Sequence, residues 1–209
     1  MTAQQGIPIT RNPATAQQAA AIRAAVAAAT TLGSNSEYSR LATPEDAASF
    51  HEFLSDPRIH APIYTLPRPL TVATVRAFIA DHEAQRARGT GLLFLNFDEQ
   101  GRISGYSDLC LWPEWAAGEL GGALHPDRQG QRQGSSGARQ SFAWMFESLG
   151  LDLICETAAP DNIRTAQLLD HLGFRLMGEI TSRRADGTTR PCLVWEITRA
   201  EWEAQNLLP

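Results

Sequence analysis

The chain has 209 residues, 43% of them hydrophobic and 20% charged, which suits one ordinary domain with a short extension rather than two domains. With 18 Lys and Arg against 23 Asp and Glu the net charge is -5, so there is no general pull toward nucleic acid or anionic lipid, and any bound anion must be held locally. No apolar run approaches the roughly 20 residues of a membrane span, Cys110, Cys155 and Cys192 show no zinc spacing, and the Ala-rich start is too weakly hydrophobic for a secretory leader; a cytoplasmic protein with reduced cysteines, no metal and no membrane partner is expected.

Residues 1–36 read as an Ala-rich, helical N-terminal extension and residues 37–209 as the domain. In the extension Asn12 caps and Pro13 fills the first turn of a helix that runs to Ala29 and stops near Gly33. It either docks on the domain, stays partly disordered, or forms a homodimer contact. A short strand from Tyr38 to Leu41 precedes Thr43-Pro44-Glu45-Asp46, a helix start, and the helix continues to about Leu54. After a Pro-punctuated stretch, Thr71 opens a second helix whose Val72, Val75, Phe78 and Ile79 recur at helical spacing until Gly89.

Gly91 to Phe97 and Ile103 to Leu111 form a hairpin around Gly101, and Gly118 to Leu124 is a further strand. His125-Pro126 breaks that strand before a loop containing Gly130 and Gly134, which opens a helix from about Ser135 to Leu149. Leu151 to Thr157 is a strand, Asp161 or Asn162 starts a helix ended by Gly173, and Phe174 to Thr181 and Cys192 to Thr198 are the last two strands. A mixed sheet covered by helices follows, with the central βαβ piece parallel.

The loop between the strand ending at Leu124 and the helix near Ser135 concentrates backbone N–H groups at a helix N-terminus, a setting for phosphate. Arg128, Arg132 and Arg139 can add charge-assisted contacts. By itself such a loop is equally a tight turn.

Two stretches give it more meaning. Gln129-Gly130-Gln131-Arg132-Gln133-Gly134 resembles the Gln/Arg-x-x-Gly-x-Gly/Ala loop of the GNAT superfamily of N-acyltransferases, and Asn162-Ile-Arg-Thr165 through Leu172-Gly173-Phe174 resembles that family's Asn-x-x-Ser…Leu-Gly-Phe. The likeness spans roughly Tyr38 to Trp202, and the terminal hairpin with Thr198-Arg-Ala-Glu-Trp202 is similar to the branch that includes ribosomal-protein N-terminal acetyltransferases. The resemblance implies an α/β (α+β) fold: a GNAT-like, mostly antiparallel mixed sheet of about seven strands, helices on both faces and a central parallel βαβ unit. It also implies acetyl transfer from acetyl-CoA to a primary amine, either a small molecule or a protein N-terminus.

Site residues follow from the same resemblance. Ala123, Leu124, His125, Gln129, Gly130, Gln131, Arg132, Gln133, Gly134, Ser135 and Asn162 would hold acetyl-CoA, with a backbone N–H near Ala123 or Leu124 meeting the carbonyl oxygen. Arg132 stands where the family has a glycine, and Leu169 where many members carry a tyrosine acid, leaving Thr165 as the alternative donor or as a helix-surface threonine. Glu119 is the candidate to accept the amine proton or hold the ammonium, or else is a strand-edge carboxylate. Tyr64, Trp112 and Trp115 could wall the acceptor pocket, the tryptophans being alternatively core residues. A catalytically silent acyl-CoA-binding module is the competing reading, and a dinucleotide-binding oxidoreductase fits poorly for want of the three-glycine fingerprint.

Overall fold

In the computed structural model, residues 6–33, 38–128, 133–183 and 187–206 are described. Seven strands, β1 (Ser39–Leu41), β2 (Gly91–Phe97), β3 (Ile103–Trp112), β4 (Ala117–Leu124), β5 (Leu153–Ala158), β6 (Arg175–Arg183) and β7 (Thr189–Thr198), build one sheet. Its order is β1-β2-β3-β4-β5-β7-β6. Every pairing is antiparallel except β4 with β5, as the expected fold class requires.

Helices α2 (Ala47–Leu54), α3 (Pro57–His60) and α4 (Val72–Arg88) cover one face, where Phe50, Leu54, Ile59, Val75 and Ile79 bury against Leu93, Leu95 and Tyr106. On the other face α1 (Ala16–Ala28), α5 (Gln133–Glu147), α6 (Ile163–His171) and α7 (Arg199–Asn206) contribute Ile22, Val26, Phe142, Met145, Leu169 and Trp202 to a larger core with Leu109, Leu111 and Ile154. The segregation follows from strand alternation, since Tyr106 and Leu109 on β3 differ by an odd step and face opposite sides.

Local chemistry sets the helix ends. Asp46 takes two bonds from Arg40, both 2.7 Å, and the backbone N–H of Thr43 at 2.8 Å, which fixes the turn into α2. A reciprocal Thr71–Thr74 box starts α4, and Gly89 ends it at φ 71. The stretch before α4 holds one element not foreseen, α3, begun by Asp56 accepting the N–H of Arg58 at 2.8 Å. Helix α1 starts later than the sequence suggests. Its cap is Thr15, which takes the N–H of Gln18 at 3.1 Å, while Asn12 and Pro13 lie in the extended lead-in.

That lead-in is packed into the molecule. Ile7 is 1% exposed and lies with Trp112, Ala117, Leu153, Cys155 and Val194. The N–H groups of Ile9 and Thr10 donate to one carboxylate oxygen of the buried Glu196, at 2.6 and 3.0 Å. Helix α1 crosses the end of α4 so closely that a Cβ on Gly89 would lie 2.5 Å from the Cα of Arg23.

Candidate functional site

Parallel pairing between β4 and β5 is limited to Ala117 with Leu153 and Gly118 with Ile154. Beyond that level β4 stays with β3 as far as Leu124 and β5 stays with β7 as far as Ala158, so the two central strands part. A cleft of about 1500 Å³ opens between them. Where pairing has ceased, the N–H of Leu120 donates instead to the Glu156 carboxylate at 2.9 Å. Because N–H directions alternate along a strand, those of Gly122 and Leu124 point the same way as that of Leu120. The N–H of Ala123 is turned toward β3, in step with His125, whose N–H donates to Ser104 at 2.8 Å. Gly122 must be glycine, since its φ is 143 and a Cβ there would sit 2.2 Å from the carbonyl oxygen of Tyr106.

Glu119 stands at the throat of the cleft, half-buried, and accepts the Thr157 hydroxyl at 2.6 Å. Burial, with the added charge of Asp108 and against the Thr157 hydrogen bond, pushes its carboxyl up to about 7. The neighbouring Glu156 is raised well above the usual carboxylate range, chiefly by burial and then by the charge of Glu119. A carboxyl poised near neutrality beside a cleft is suited to proton transfer.

Further along the same face, β3 contributes Tyr106 and Asp108. The Asp108 Oδ1 lies 2.9 Å from Nε2 of His82 on α4, and Nδ1 of His82 lies 2.8 Å from the carbonyl oxygen of Phe78. A ring facing two acceptors satisfies both only as an imidazolium. Burial opposes that charge, but Asp108 and the Phe78 carbonyl outweigh it, and His82 is held above its ordinary value.

The far wall comes from α5 and α6. Ser136, Gly137 and Ser141 of α5 border the cleft, and a Cβ on Gly137 would meet nothing within 4 Å, so the first turns of α5 look onto open space. Asn162 caps α6 by accepting the N–H of Thr165 at 3.2 Å, and both residues line the cleft. Leu169 is core, 2% exposed.

The cleft therefore brings together Glu119, Ala123, Leu124, Asn162, Thr165 and Tyr64. Tyr64 sits at the rim under the Arg190 guanidinium, 4.2 Å from its ring centre. Other expected residues stand elsewhere. Trp112 is buried against Ile7 and Leu153, and Trp115 packs under Arg11 at 4.7 Å; both lie where β3 and β4 begin to pair tightly, away from the cleft, and take the core alternative. His125 is off the described cleft walls too, with its ring 6.2 Å from Phe53 and its Nδ1 3.6 Å from Asp127. Gln129, Gly130, Gln131 and Arg132 lie outside the described residues, as do the side chains of Gln133 and Ser135. Among the described residues there is no group of His, Cys, Asp and Glu able to hold a metal.

Sequence reasoning did not single out His82, Tyr106, Asp108, Glu156 or Thr157. A signal existed for His82, which continues the buried stripe Val75, Phe78, Ile79 one turn further, and for Asp108, which puts a carboxylate in a strand whose alternate residues are buried. Their pairing across 26 positions had none.

Comparison with known proteins agrees with this geometry. Residues 39–175 match the model of the acetyltransferase (GNAT) domain. Similar solved structures include the ribosomal-protein-S5-alanine acetyltransferase from Vibrio fischeri, with TM-score 0.65 at 20% identity over 78% of this chain and 93% of that one. Mycobacterium smegmatis RimJ in complex with CoA-disulfide gives 0.66 at 19% identity, over 82% and 83%. AAC(6')-Ib in complex with ribostamycin and coenzyme A gives 0.65 at 19% identity, over 82% and 98%. No curated protein sequence matches the chain. With the domain match spanning most of the chain and a sheet opened between β4 and β5, this protein belongs to the GNAT acetyltransferase family.

Proposed function

We propose that the chain is an acetyl-CoA-dependent N-acetyltransferase that acylates a primary amine, on a small molecule or a protein N-terminus, by direct attack within a ternary complex. The observation that carries this reading is the parting of β4 from β5 with Glu119, its carboxyl near 7, at the throat. Acetyl-CoA supplies the thioester carbonyl and a thiolate leaving group.

The chain's own groups divide the remaining work. The first-turn N–H groups of α5 and the motif from Gln129 to Ser135 are assigned to the pyrophosphate. The Leu124 N–H, which shares the direction of the Leu120 N–H by strand alternation, is assigned to the carbonyl oxygen as its charge develops. Glu119 accepts the amine's proton, and Thr157 fixes its carboxylate. An N-terminal amine, with a pKa of about 7.7 to 8.0, needs less of that help than a lysine at about 10.4. Thr165, on the cleft side of α6, is the nearest hydroxyl of that helix to protonate the thiolate, a step a free thiolate can omit. The three cysteines are unpaired and no described helix is long and apolar enough to cross a membrane, which supports action in the cytoplasm.

Isothermal titration with acetyl-CoA, followed by a free-thiol assay over an amine panel, tests the proposal. Absence of binding heat sinks it. Binding without thiol release from any amine would instead make the chain a silent acyl-CoA-binding module.

A further inference from the structure

The fork of the sheet carries two carboxyls, one on each face. Continued one step past the Gly118–Ile154 pair, the register sets Glu119 beside Cys155 and Leu120 beside Glu156, so by strand alternation the two acids project from opposite sides. Glu119 lies with Thr157 on the face of Ala117 and Leu153. Glu156 lies on the face of Ile154 and Ala158, toward α5 and α6. From that second side Ser136, Ser141, Asn162 and Thr165 border the cleft, and to it the pyrophosphate is assigned.

Glu156 is 7% exposed and yet lines the cleft. Among the described residues only its Oε1 is engaged, by the Leu120 N–H at 2.9 Å, which leaves Oε2 to carry a proton. Several titratable and charged groups surround it. Strand β4 brings Glu119 and β5 brings Cys155, while Glu196 of β7 is turned to the other face, under the N–H groups of Ile9 and Thr10. The turn into α6 brings Asp161 and Arg164 to the cleft wall, Asp170 takes the Trp195 Nε1–H at 3.2 Å, and the described cleft residues of α5 are neutral. Burial and then the charge of Glu119 favour the neutral acid at Glu156, only the Leu120 hydrogen bond opposes them, and no cation contributes.

We infer that Glu156 is the general acid of the reaction, delivering its Oε2 proton to the coenzyme A sulfur as the C–S bond breaks, while Glu119 takes the proton of the amine as the C–N bond forms. The inference rests on the acetyl-transfer reading and completes its proton balance. One proton leaves the nitrogen and one arrives at the sulfur, so the pair ends with Glu119 neutral and Glu156 ionised, and exchange with solvent restores the starting states. Charge sets the order of events. Once Glu119 is protonated it no longer repels a charge on Glu156, which becomes the stronger acid as the leaving group needs it. Helix α6 offers no comparable acid on this side, since Leu168 and Leu169 line the cleft with apolar side chains.

Glu156→Gln tests this, because it keeps an acceptor for the Leu120 N–H and removes the acid. The single-turnover rate of acetyl transfer is expected to fall about a hundredfold, the usual worth of a positioned acid, with the Kd of acetyl-CoA unchanged and the alkaline limb of the rate–pH profile lost. Infrared absorption of the ligand-free protein at pH 8 gives a readout apart from turnover. A carboxylic-acid C=O band should be present in the wild type and absent from Glu156→Gln. In Glu119→Gln the band should titrate away at lower pH than in the wild type, the neighbouring charge being gone. A wild-type rate in Glu156→Gln, no band at pH 8, or a band whose titration ignores Glu119→Gln overturns the inference and leaves acetyl transfer standing. Thiol release from no amine by the wild type refutes catalysis itself.

Discussion

Glu156 on β5 takes the backbone N–H of Leu120 on β4 at 2.9 Å, at the level where those strands no longer pair. A side chain thus replaces a ladder hydrogen bond at the fork of the sheet. Burial and the nearby Glu119 raise the Glu156 carboxyl, so in the folded protein its proton is held more tightly than in the unfolded chain. The contribution to stability is complete below the unfolded value of about 4.3 and falls as pH rises toward the folded one. Glu156→Gln keeps an acceptor for Leu120 and removes the charge. Its melting temperature should exceed that of the wild type by roughly 2–4 °C per kcal/mol at pH 8, and the gap should close near pH 4. An equal gap at both pH values would contradict this.

Glu119, raised to about 7, must be ionised to accept a proton. Activity that depends on it should fall as pH drops through that value. Glu119→Gln should lose about a hundredfold or more in kcat/KM at pH 8, the usual worth of a positioned base. The wild-type to variant ratio should shrink below pH 7, and a ratio constant with pH would remove Glu119 from the proton path.

Asn162 closes the N-terminus of α6 by accepting the N–H of Thr165 at 3.2 Å. Asn162→Ala should cost about 1 kcal/mol of stability, as cap deletions do, and Asn162→Asp should recover most of it. Chemical denaturation of the three proteins reads this directly.

At Gly89 both the left-handed backbone and the approach of Arg23 exclude a side chain. Gly89→Ala should therefore destabilise by more than about 1 kcal/mol, with thermal unfolding as the measure. A neutral result would mean that α1 can shift away from α4.

Much of the fold was legible because its boundaries are written locally. Thr71, Gly89, Asn162 and Gly173 mark helix ends by their own chemistry, and the β2–β3 hairpin turns at Gly101 as its sequence demands. What was hidden is non-local. β4 leaves β5 after two paired positions and Glu156 reaches across to Leu120 there, and nothing in Leu120 or Glu156 alone announces it. Trp112 and Trp115 misled as pocket candidates because an aromatic beside a proline reads the same whether Ile7 covers it or a ligand does. Glu119 was legible as a candidate through a family pattern, whereas its partners Thr157 and Asp108 needed the register of β3 and β5.

The stretch from Ile7 to Thr10 bears on modularity. It precedes the region shared with the family, yet it supplies the donors for a carboxylate sealed inside β7 and the lid over Trp112 and Leu153. Excising it would strand Glu196 without those amides and open an apolar floor, so the catalytic domain of this chain is not a transplantable cassette beginning at β1.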